Sequence, residues 1–204
     1  YGAVVIDYKT VSERRLKMAE VYHGLTLQLV GYLLALQQAG ESLTGRKVRP
    51  VAAFYLPLLQ GFETVSHPSK ATSPTEAYRF RGILDLTALD GLDTSAASDR
   101  KSRYMSAGLT KDGKPHQNSD LASPKEFEAI MAHVSRKMGE LADSLLDGNV
   151  EVKPYRLNKT SPCKWCPYMA VCRYEADWQP PNTLAPLGRR ADILKRLTEE
   201  HPDA

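Results

Sequence analysis

A short apolar run that ends in a charged pair constrains the fold most: Ala3-Val4-Val5-Ile6-Asp7-Tyr8-Lys9. Four consecutive apolar residues predict a buried strand. Because side chains alternate between the two faces of a strand, Asp7 and Lys9 share one face and Tyr8 lies on the other. A carboxylate beside an ammonium group at the end of a sheet suits metal-dependent phosphodiester cleavage. The carboxylate binds a divalent cation, and the lysine assists the attacking water or the charged phosphate.

The Asp-x-Lys pattern by itself proves little, since the chain contains a second copy, Asp112-Gly113-Lys114. That copy lies in polar sequence rich in glycine and proline, with no apolar run before it, so we interpret it as a loop. The preceding strand is therefore what distinguishes the first copy.

Composition sets broad limits on the fold. A chain of 204 residues can form one core, or a core with an appendage. No apolar run approaches the roughly 20 residues of a membrane span, and no signal peptide opens the sequence. The sequence begins at Tyr1 inside a strand-like run, so we expect it to be part of a longer protein. Its net charge of only +3 excludes a uniformly basic surface.

Apolar spacing predicts a long helix at residues 16–38 that ends at Gly40. On this helix Gln28 and Tyr32 stand four residues apart and share a face, with Gly24 one turn earlier, where it would allow close approach. The same pair is also typical of a tyrosine at a core edge beside a solvent-facing glutamine.

Further strands are predicted at residues 51–56, ended by Pro57, and at residues 78–86, where Gly82 permits a bulge or a close contact. Residues 94–122 contain few apolar side chains, so we expect them to be mobile, partly ordered or packed on a missing partner.

Two sets of polar residues near these segments suggest structure instead of metal binding. Asp85, Asp90 and Asp93 lie around a glycine, which favours a turn. Ser123 opens a capping box that predicts a helix to Gly148. His133 lies beside the apolar stripe of that helix, and we interpret it as a core-edge histidine and not as a ligand.

The three cysteines form one cluster, Cys163-x2-Cys166-x5-Cys172. Clustered thiols without a disulfide framework indicate a metal site in a reducing, cytoplasmic compartment. Both zinc and an iron–sulfur cluster fit thiolate ligands, and both normally need four.

The cysteines lie in a basic segment that lacks Asp and Glu. Tyr155, Trp165 and Tyr168 are interleaved with its cations, which fits either a solvated surface or binding to a phosphate backbone. The five cations are Lys153, Arg156, Lys159, Lys164 and Arg173.

Three features now follow in order: the Asp7-Tyr8-Lys9 strand, Gln28-x3-Tyr32, and Pro154-Tyr155-Arg156 before the cysteine cluster. Together they resemble the C-terminal nuclease domain of AddB-type helicase–nuclease subunits and, more broadly, the RecB-type branch of the PD-(D/E)xK nucleases. The resemblance implies an α/β fold: a partial restriction-endonuclease-like core, with a central mixed sheet flanked by helices, and a cysteine-rich iron–sulfur segment at the C-terminal side.

The resemblance also implies roles for the matching residues. Asp7 and the Tyr8 carbonyl would bind Mg²⁺ or Mn²⁺, and Lys9 would be the catalytic lysine. Gln28 and Tyr32 would contact DNA and brace the lysine. The thiols would be three of four ligands to a 4Fe–4S cluster that supports binding of DNA ends; they are Cys163, Cys166 and Cys172.

The implied protein is a DNA exonuclease subunit in double-strand-break repair and recombination. Its implied partners are DNA, as duplex ends or single strands, an AddA-like helicase subunit and the upstream part of the same protein. We divide the chain into a partial nuclease core at 1–152 with an insertion near 94–122, an iron–sulfur segment at 153–178 and a tail at 179–204.

The sequence departs from the family pattern at its start. The family has a helix and two strands before the Asp-x-Lys strand, and the middle strand carries another metal-binding aspartate. We therefore expect this polypeptide alone to be a weak or inactive nuclease. The alternatives are a non-catalytic iron–sulfur module that binds DNA or supports a scaffold, and a zinc-bound interaction domain.

Overall fold

The computed structural model describes residues 1–10, 15–59 and 64–202 of the chain. It is an α/β structure in which helices cover a four-stranded mixed sheet, as predicted. The strands are β1 (Gly2–Lys9), β2 (Arg49–Pro57), β3 (Arg81–Asp85), β4 (Leu121–Ala122), β5 (Tyr155–Leu157) and β6 (Asn182–Leu184). The helices are α1 (Met18–Tyr22), α2 (Gln28–Thr44), α3 (Pro74–Ala77), α4 (Leu89–Leu92), α5 (Ser95–Asp99), α6 (Pro124–Leu146), α7 (Met169–Cys172) and α8 (Arg190–Glu200).

The main sheet has the order β1-β2-β3-β4. β1 runs parallel to β2, β2 runs antiparallel to β3, and β3 runs parallel to β4. The carboxyl ends of β1 and β2 therefore meet at one end of the sheet, beside the start of β3. β1 is an edge strand among the described residues.

Each face of the sheet has its own apolar cluster. Ala53, Tyr55 and Ile83 face the helices, and α1, α2, α6 and α8 cover them. Phe54 and Leu84 face the other way and pack with residues of the 94–122 segment. The alternation is the ordinary two-residue period of a strand with both faces covered.

The helix predicted at 16–38 is two helices, α1 and α2, so that prediction was wrong in its bounds. Gly24 has a φ of +76°, a conformation that favours glycine, and the chain turns there. Gly24 therefore precedes α2 and does not lie on its face. The predicted stop at Gly40 is also wrong, because α2 continues to Thr44 and Gly45 ends it in the left-handed conformation.

Helix α6 begins as predicted, with the capping box of Ser123 and Glu126. Its buried residues pack against α2 and against α8. Ile193, Leu194 and Leu197 of α8 are all buried, so the core contains residues from both sides of the cysteine segment.

β3 is shorter than the predicted strand at 78–86, but Gly82 makes the close contact expected of it. A Cβ atom at Gly82 would lie 2.1 Å from the Ala53 carbonyl oxygen of β2. Asp85 ends the strand, because its carboxylate accepts hydrogen bonds from the backbone and hydroxyl of Thr87.

Residues 94–122 pack on the sheet of this same chain. This differs from the expectation that they are mobile, partly ordered or packed on a missing partner. Met105, Ala107 and Leu121 are buried there. The segment is ordered despite its few apolar residues because its polar groups form hydrogen bonds with one another. Asp93 accepts a 2.6 Å hydrogen bond from Ser102 and further bonds from Ser95, and these lower its pKa.

No helix in the described ranges combines the length and apolar character needed to cross a membrane.

Candidate active site

Asp7 and Lys9 meet at the carboxyl end of β1. Their side chains lie on the same face of the strand, and Lys9 Nζ is 2.7 Å from Asp7 Oδ2. Both side chains are largely covered, with exposed fractions of 22% for Lys9 and 18% for Asp7. The face that they occupy is the one that α2 covers, so the charged pair lies between the sheet and a helix.

Gln28 and Tyr32 join this pair from α2. Lys9 Nζ donates a 3.1 Å hydrogen bond to Gln28 Oε1, and Gln28 Nε2 donates a 2.9 Å hydrogen bond to Tyr32 Oη. Gln28 is the first residue of α2 and Tyr32 lies one turn later. The four residues singled out from two distant stretches of sequence therefore form one continuous chain of polar contacts.

Tyr55 lies beneath the lysine. Lys9 Nζ lies 5.2 Å from the centre of the Tyr55 ring, and Asp7 is the residue paired with Tyr55 across β1 and β2. The negative face of the aromatic ring attracts the ammonium group through a cation–π interaction. The sequence pattern did not reveal Tyr55, because it does not show which strand lies beside β1.

Asp7 Oδ2 is the atom best suited to a cation. It is buried, and apart from the 2.7 Å ion pair with the Lys9 ammonium it has no hydrogen-bond partner among the described residues. Buried carboxylate oxygens are normally saturated by donors. Asp7 Oδ2 is therefore suited to bind Mg²⁺ or Mn²⁺, which prefer oxygen ligands.

The Tyr8 carbonyl points towards the open edge of β1. The Lys9 carbonyl accepts a hydrogen bond from the Leu58 N–H, which lies on the β2 side. Successive carbonyl groups of a strand point to opposite sides, so the carbonyl of Tyr8 faces away from β2. Asp7 and Tyr8 together offer two oxygen ligands at this edge.

A different group of three metal-binding residue types lies far along the chain. Ligand atoms of His133, Glu200 and His201 lie within 4.8 Å of one another, the one such group among the described residues. His133 is buried, and one ring nitrogen bonds to the Tyr22 carbonyl.

Glu200 in that group is already saturated by other partners. It accepts hydrogen bonds from Tyr22 Oη at 2.6 Å and Arg196 Nε at 2.9 Å, and Arg136 lies 3.7 Å away. The two guanidinium groups oppose a further cation. Burial lowers the pKa of His133 and of His201, which favours the neutral form of both rings. The group therefore holds α8 against α1 and α6, and His133 lies in the core as a structural residue.

We call the group of Asp7, Lys9, Gln28 and Tyr32 the strand-end site. The cysteine segment is built differently from it. Cys163 lies in a one-turn 3₁₀ helix, Pro162–Trp165, and Cys172 ends α7. All three thiols are free, and Cys172 is exposed. Two short parallel strands, β5 and β6, flank the segment.

The three sulfurs do not all lie within 4.8 Å of one another. Thiolates on a single tetrahedral zinc ion stand about 3.8 Å apart, given a Zn–S bond of roughly 2.3 Å. The ligands of a 4Fe–4S cluster bind different iron atoms and stand farther apart. Three thiols supply part of the four ligands that either a zinc ion or an iron–sulfur cluster normally takes.

The five cations proposed to bind DNA all lie on the exposed surface of this segment. Three large aromatic side chains are exposed with them: Trp165 at 70%, Tyr168 at 71% and Trp178 at 82%. Lys164 Nζ lies 5.3 Å from the centre of the Trp165 ring. The cations are Lys153, Arg156, Lys159, Lys164 and Arg173.

Comparison with known proteins agrees with this arrangement. A sequence profile of the PD-(D/E)XK nuclease superfamily matches residues 2–173. The chain is 32% identical over 185 residues to the B subunit of the ATP-dependent helicase/deoxyribonuclease of Symbiobacterium thermophilum, covering 86% of this chain and 15% of the relative.

The proteins of the same name from two other bacteria are similar. The identity is 31% over 204 residues for Geobacillus kaustophilus, covering 96% of this chain and 17% of the relative. For the protein of Desulforudis audaxviator the identity is 34% over 177 residues, covering 84% of this chain and 15% of the relative. The chain thus spans between 15% and 17% of the length of these curated relatives. With the superfamily profile matching most of its length and the sheet end holding an Asp-x-Lys pair, the chain belongs to the PD-(D/E)XK nuclease superfamily.

Proposed function

We propose that this chain is the C-terminal part of a magnesium-dependent DNA exonuclease subunit, in a helicase–nuclease that acts in double-strand-break repair and recombination. The observation that carries the proposal is the chain of contacts from Asp7 through Lys9 and Gln28 to Tyr32. The names of the relatives, which couple a helicase to a deoxyribonuclease, supply the wider context.

Asp7 and the Tyr8 carbonyl are the groups of this chain that would hold Mg²⁺. When bound, such an ion polarises a phosphate oxygen and lowers the pKa of a coordinated water. Asp7 belongs to no group of three ligands among the described residues. The site therefore needs at least one further carboxylate, and we propose that this polypeptide alone cuts DNA weakly.

Lys9 acts beside the carboxylate on the charge that develops on the phosphate. Its ammonium is a compact donor with three N–H groups, of which one bonds to Gln28. Gln28 holds the ammonium in place, and Tyr32 fixes the orientation of the Gln28 amide. The amino end of α2 lies at the same place, where the helix dipole favours an anionic phosphate.

The cysteine segment would bind a 4Fe–4S cluster and DNA. Cys163, Cys166 and Cys172 supply three thiolates, and we propose that the upstream part of the same protein supplies the fourth ligand. The exposed aromatic rings and cations of the segment suit stacking on bases and contact with phosphates. An AddA-like helicase subunit would be the protein partner, in the cytoplasm.

The proposal is tested with Lys9→Ala in the natural full-length protein and its helicase partner, using linear DNA and magnesium. We expect cleavage to fall by roughly 10²- to 10³-fold, with DNA binding retained. Lys17→Ala is the matched control, because Lys17 is exposed and its one ion pair among the described residues is with Glu20, three residues along the chain. Unchanged cleavage by Lys9→Ala would contradict the proposal and favour a non-catalytic DNA-binding or scaffold module.

A further inference from the structure

A basic cleft of about 310 Å³ lies beside the start of β3. Its walls carry three cations, Arg15, Arg79 and Lys101, together with His116 and Asn118. No Asp or Glu side chain is among the described residues that line it. The cations come from three separate stretches of sequence, and only the folded chain brings them together.

The cleft is held in shape by the 94–122 segment. Ser106 N–H bonds to the Phe80 carbonyl just before β3, and Asp120 N–H bonds to the Ser106 carbonyl. Ser102 N–H bonds to the Ala107 carbonyl and closes the segment on itself. These backbone contacts fix the position of the cleft relative to the sheet.

Gly108 is part of the cleft wall, and its missing side chain matters there. A Cβ atom at Gly108 would lie 3.1 Å from His116 Cδ2 and 3.8 Å from Lys101 Cγ. Glycine therefore lets His116 and Lys101 approach each other across the backbone. The two side chains converge on one side of the cleft.

The cleft cations differ in how far their charge is already paired. Arg79 donates to the Arg103 carbonyl at 3.1 Å and lies 3.8 Å from the exposed Glu76, so part of its charge is already engaged. Arg15 and Lys101 are exposed, and neither has a carboxylate within 4 Å among the residues the structure describes. Their charges are available to an anion.

The cleft lies at the same end of the sheet as Asp7. Tyr55 of β2 pairs with Asp7 on one side and with Arg81 on the other, so Arg81 is two strand spacings, or roughly 10 Å, from Asp7. Burial raises the pKa of the Asp120 carboxyl, and Arg15 and Arg81 lie close enough to oppose that rise. The cations thus continue from the strand-end site towards the cleft.

We propose that this basic cleft binds the phosphodiester backbone of the DNA whose cleavage Asp7 and Lys9 promote, at least three nucleotides from the reacting phosphate. The spacing follows from a rise of about 3.4 Å per nucleotide along a duplex strand. The inference rests on the proposed nuclease function. Arg15 and Lys101 are positioning residues, because they hold the strand in register without touching the reacting atoms.

The experiment uses the full-length protein with its helicase partner and a fluorescent linear duplex, in EDTA so that no cleavage occurs. The double variant Arg15→Ala/Lys101→Ala removes two phosphate contacts. We expect the slope of log K against log salt concentration to become shallower by about 1.8 and the affinity at low salt to fall roughly tenfold or more. An unchanged slope and affinity would overturn the proposal.

Two further variants control for loss of charge and for folding. Lys125→Ala/Lys195→Ala removes two exposed lysines outside the cleft, and we expect its slope to match that of the unmodified protein. Arg15→Lys/Lys101→Arg keeps both charges and should also keep the slope. If the double alanine variant does not fold, Lys101→Ala alone carries the same test with about half the change in slope.

Cleavage measured separately distinguishes this inference from the proposed function. With magnesium and saturating protein in a single turnover, Arg15→Ala/Lys101→Ala should cut bound DNA within about threefold of the unmodified rate, a loss of under 1 kcal/mol. Failure of the nuclease proposal would appear as full cleavage by Lys9→Ala. Failure of the cleft proposal would appear as an unchanged salt slope in EDTA.

Discussion

The strand-end site and the cysteine segment are organised in opposite ways. Asp7, Lys9 and Gln28 stand on a strand and a helix that pack against the core, and their polar groups already touch. Between residues 135 and 192, in contrast, no described apolar side chain is buried. The first region is positioned by packing within this chain, whereas the cysteine segment has short elements and exposed aromatic rings.

This difference teaches where each site obtains its geometry. A sheet packed against helices fixes side-chain positions before any ligand arrives, which is what catalysis by positioned charges requires. On the proposal that the cysteine segment binds a cluster, its shape would come from metal–ligand bonds, and metal binding would be coupled to local folding. Changes in one region should therefore leave the other largely intact.

The largest effect on stability should follow from adding a side chain where β2 and β3 approach most closely. Gly82→Ala places a Cβ atom 2.1 Å from the Ala53 carbonyl oxygen, so β2 and β3 must separate. We expect a loss of about 3 kcal/mol or more in the free energy of unfolding, measured by urea denaturation of the 204-residue chain. Gly91→Ala is the control, since no atom lies within 4 Å of its added Cβ. Equal stability of the two variants would show that the sheet does not fix this region.

A pH-dependent effect should come from Asp120. Burial raises the pKa of its carboxyl to about 6, against about 3.8 when unfolded, while the Gly82 N–H and nearby arginines oppose the rise. The folded protein then keeps a proton that the unfolded chain loses between pH 4 and 6, so ionisation of Asp120 costs stability as pH rises through that window.

Asp120→Asn removes this cost and keeps an oxygen that can accept from Gly82. Relative to the unmodified chain, the variant should gain up to about 3 kcal/mol between pH 4 and pH 7.5. The measurement is urea denaturation of both proteins at the two pH values. A stability difference that does not change with pH would contradict the assignment.

A smaller effect, on DNA cleavage, should follow from removing the Gln28 side chain that holds the Lys9 ammonium in place. Gln28→Ala removes the acceptor of Lys9 and the donor to Tyr32, while leaving the ion pair with Asp7. We expect DNA cleavage by the full-length protein to fall roughly 10- to 100-fold, as for other groups that orient a catalytic side chain. Gln38→Ala, an exposed change on the same helix, should have no effect. Equal rates for both variants would mean that the Gln28 contact is incidental.

The smallest effect on the stability of the core should come from replacing a cysteine. Cys166→Ser should abolish the iron–sulfur absorbance of anaerobically purified full-length protein and increase proteolysis within residues 153–185. In the 204-residue chain it should change the free energy of unfolding by no more than about 0.5 kcal/mol. A large loss of core stability would contradict the independence of the two regions.

The sequence predicted the strand-end pair and its helix partners because strand and helix periods are local. Alternation placed Asp7 beside Lys9, and four-residue spacing placed Gln28 beside Tyr32. The break at Gly24 was missed, since apolar spacing continues through it while the left-handed conformation interrupts the helix. The position of Tyr55 under Lys9 depends on strand order, which no local pattern contains.

The 94–122 segment shows the same limit. Its polar composition suggested mobility, but Asp93 and Ser102 bond to each other inside the fold, and Met105 and Leu121 bury enough surface to hold it. Arg15 and Lys101 line one cleft only because this segment folds back on β3. Such long-range contacts follow from the whole fold and not from spacing along the chain.

Cleavage of linear DNA by Asp7→Asn, in the full-length protein with its helicase partner and magnesium, tests the central claim most directly. The change keeps the size of the side chain and removes the charge that would hold the cation. The account predicts a loss of roughly 10²- to 10³-fold or more in cleavage, with ATP hydrolysis and DNA binding unchanged. Cleavage within a factor of about two of the unmodified rate, a difference of under 0.5 kcal/mol, would contradict it.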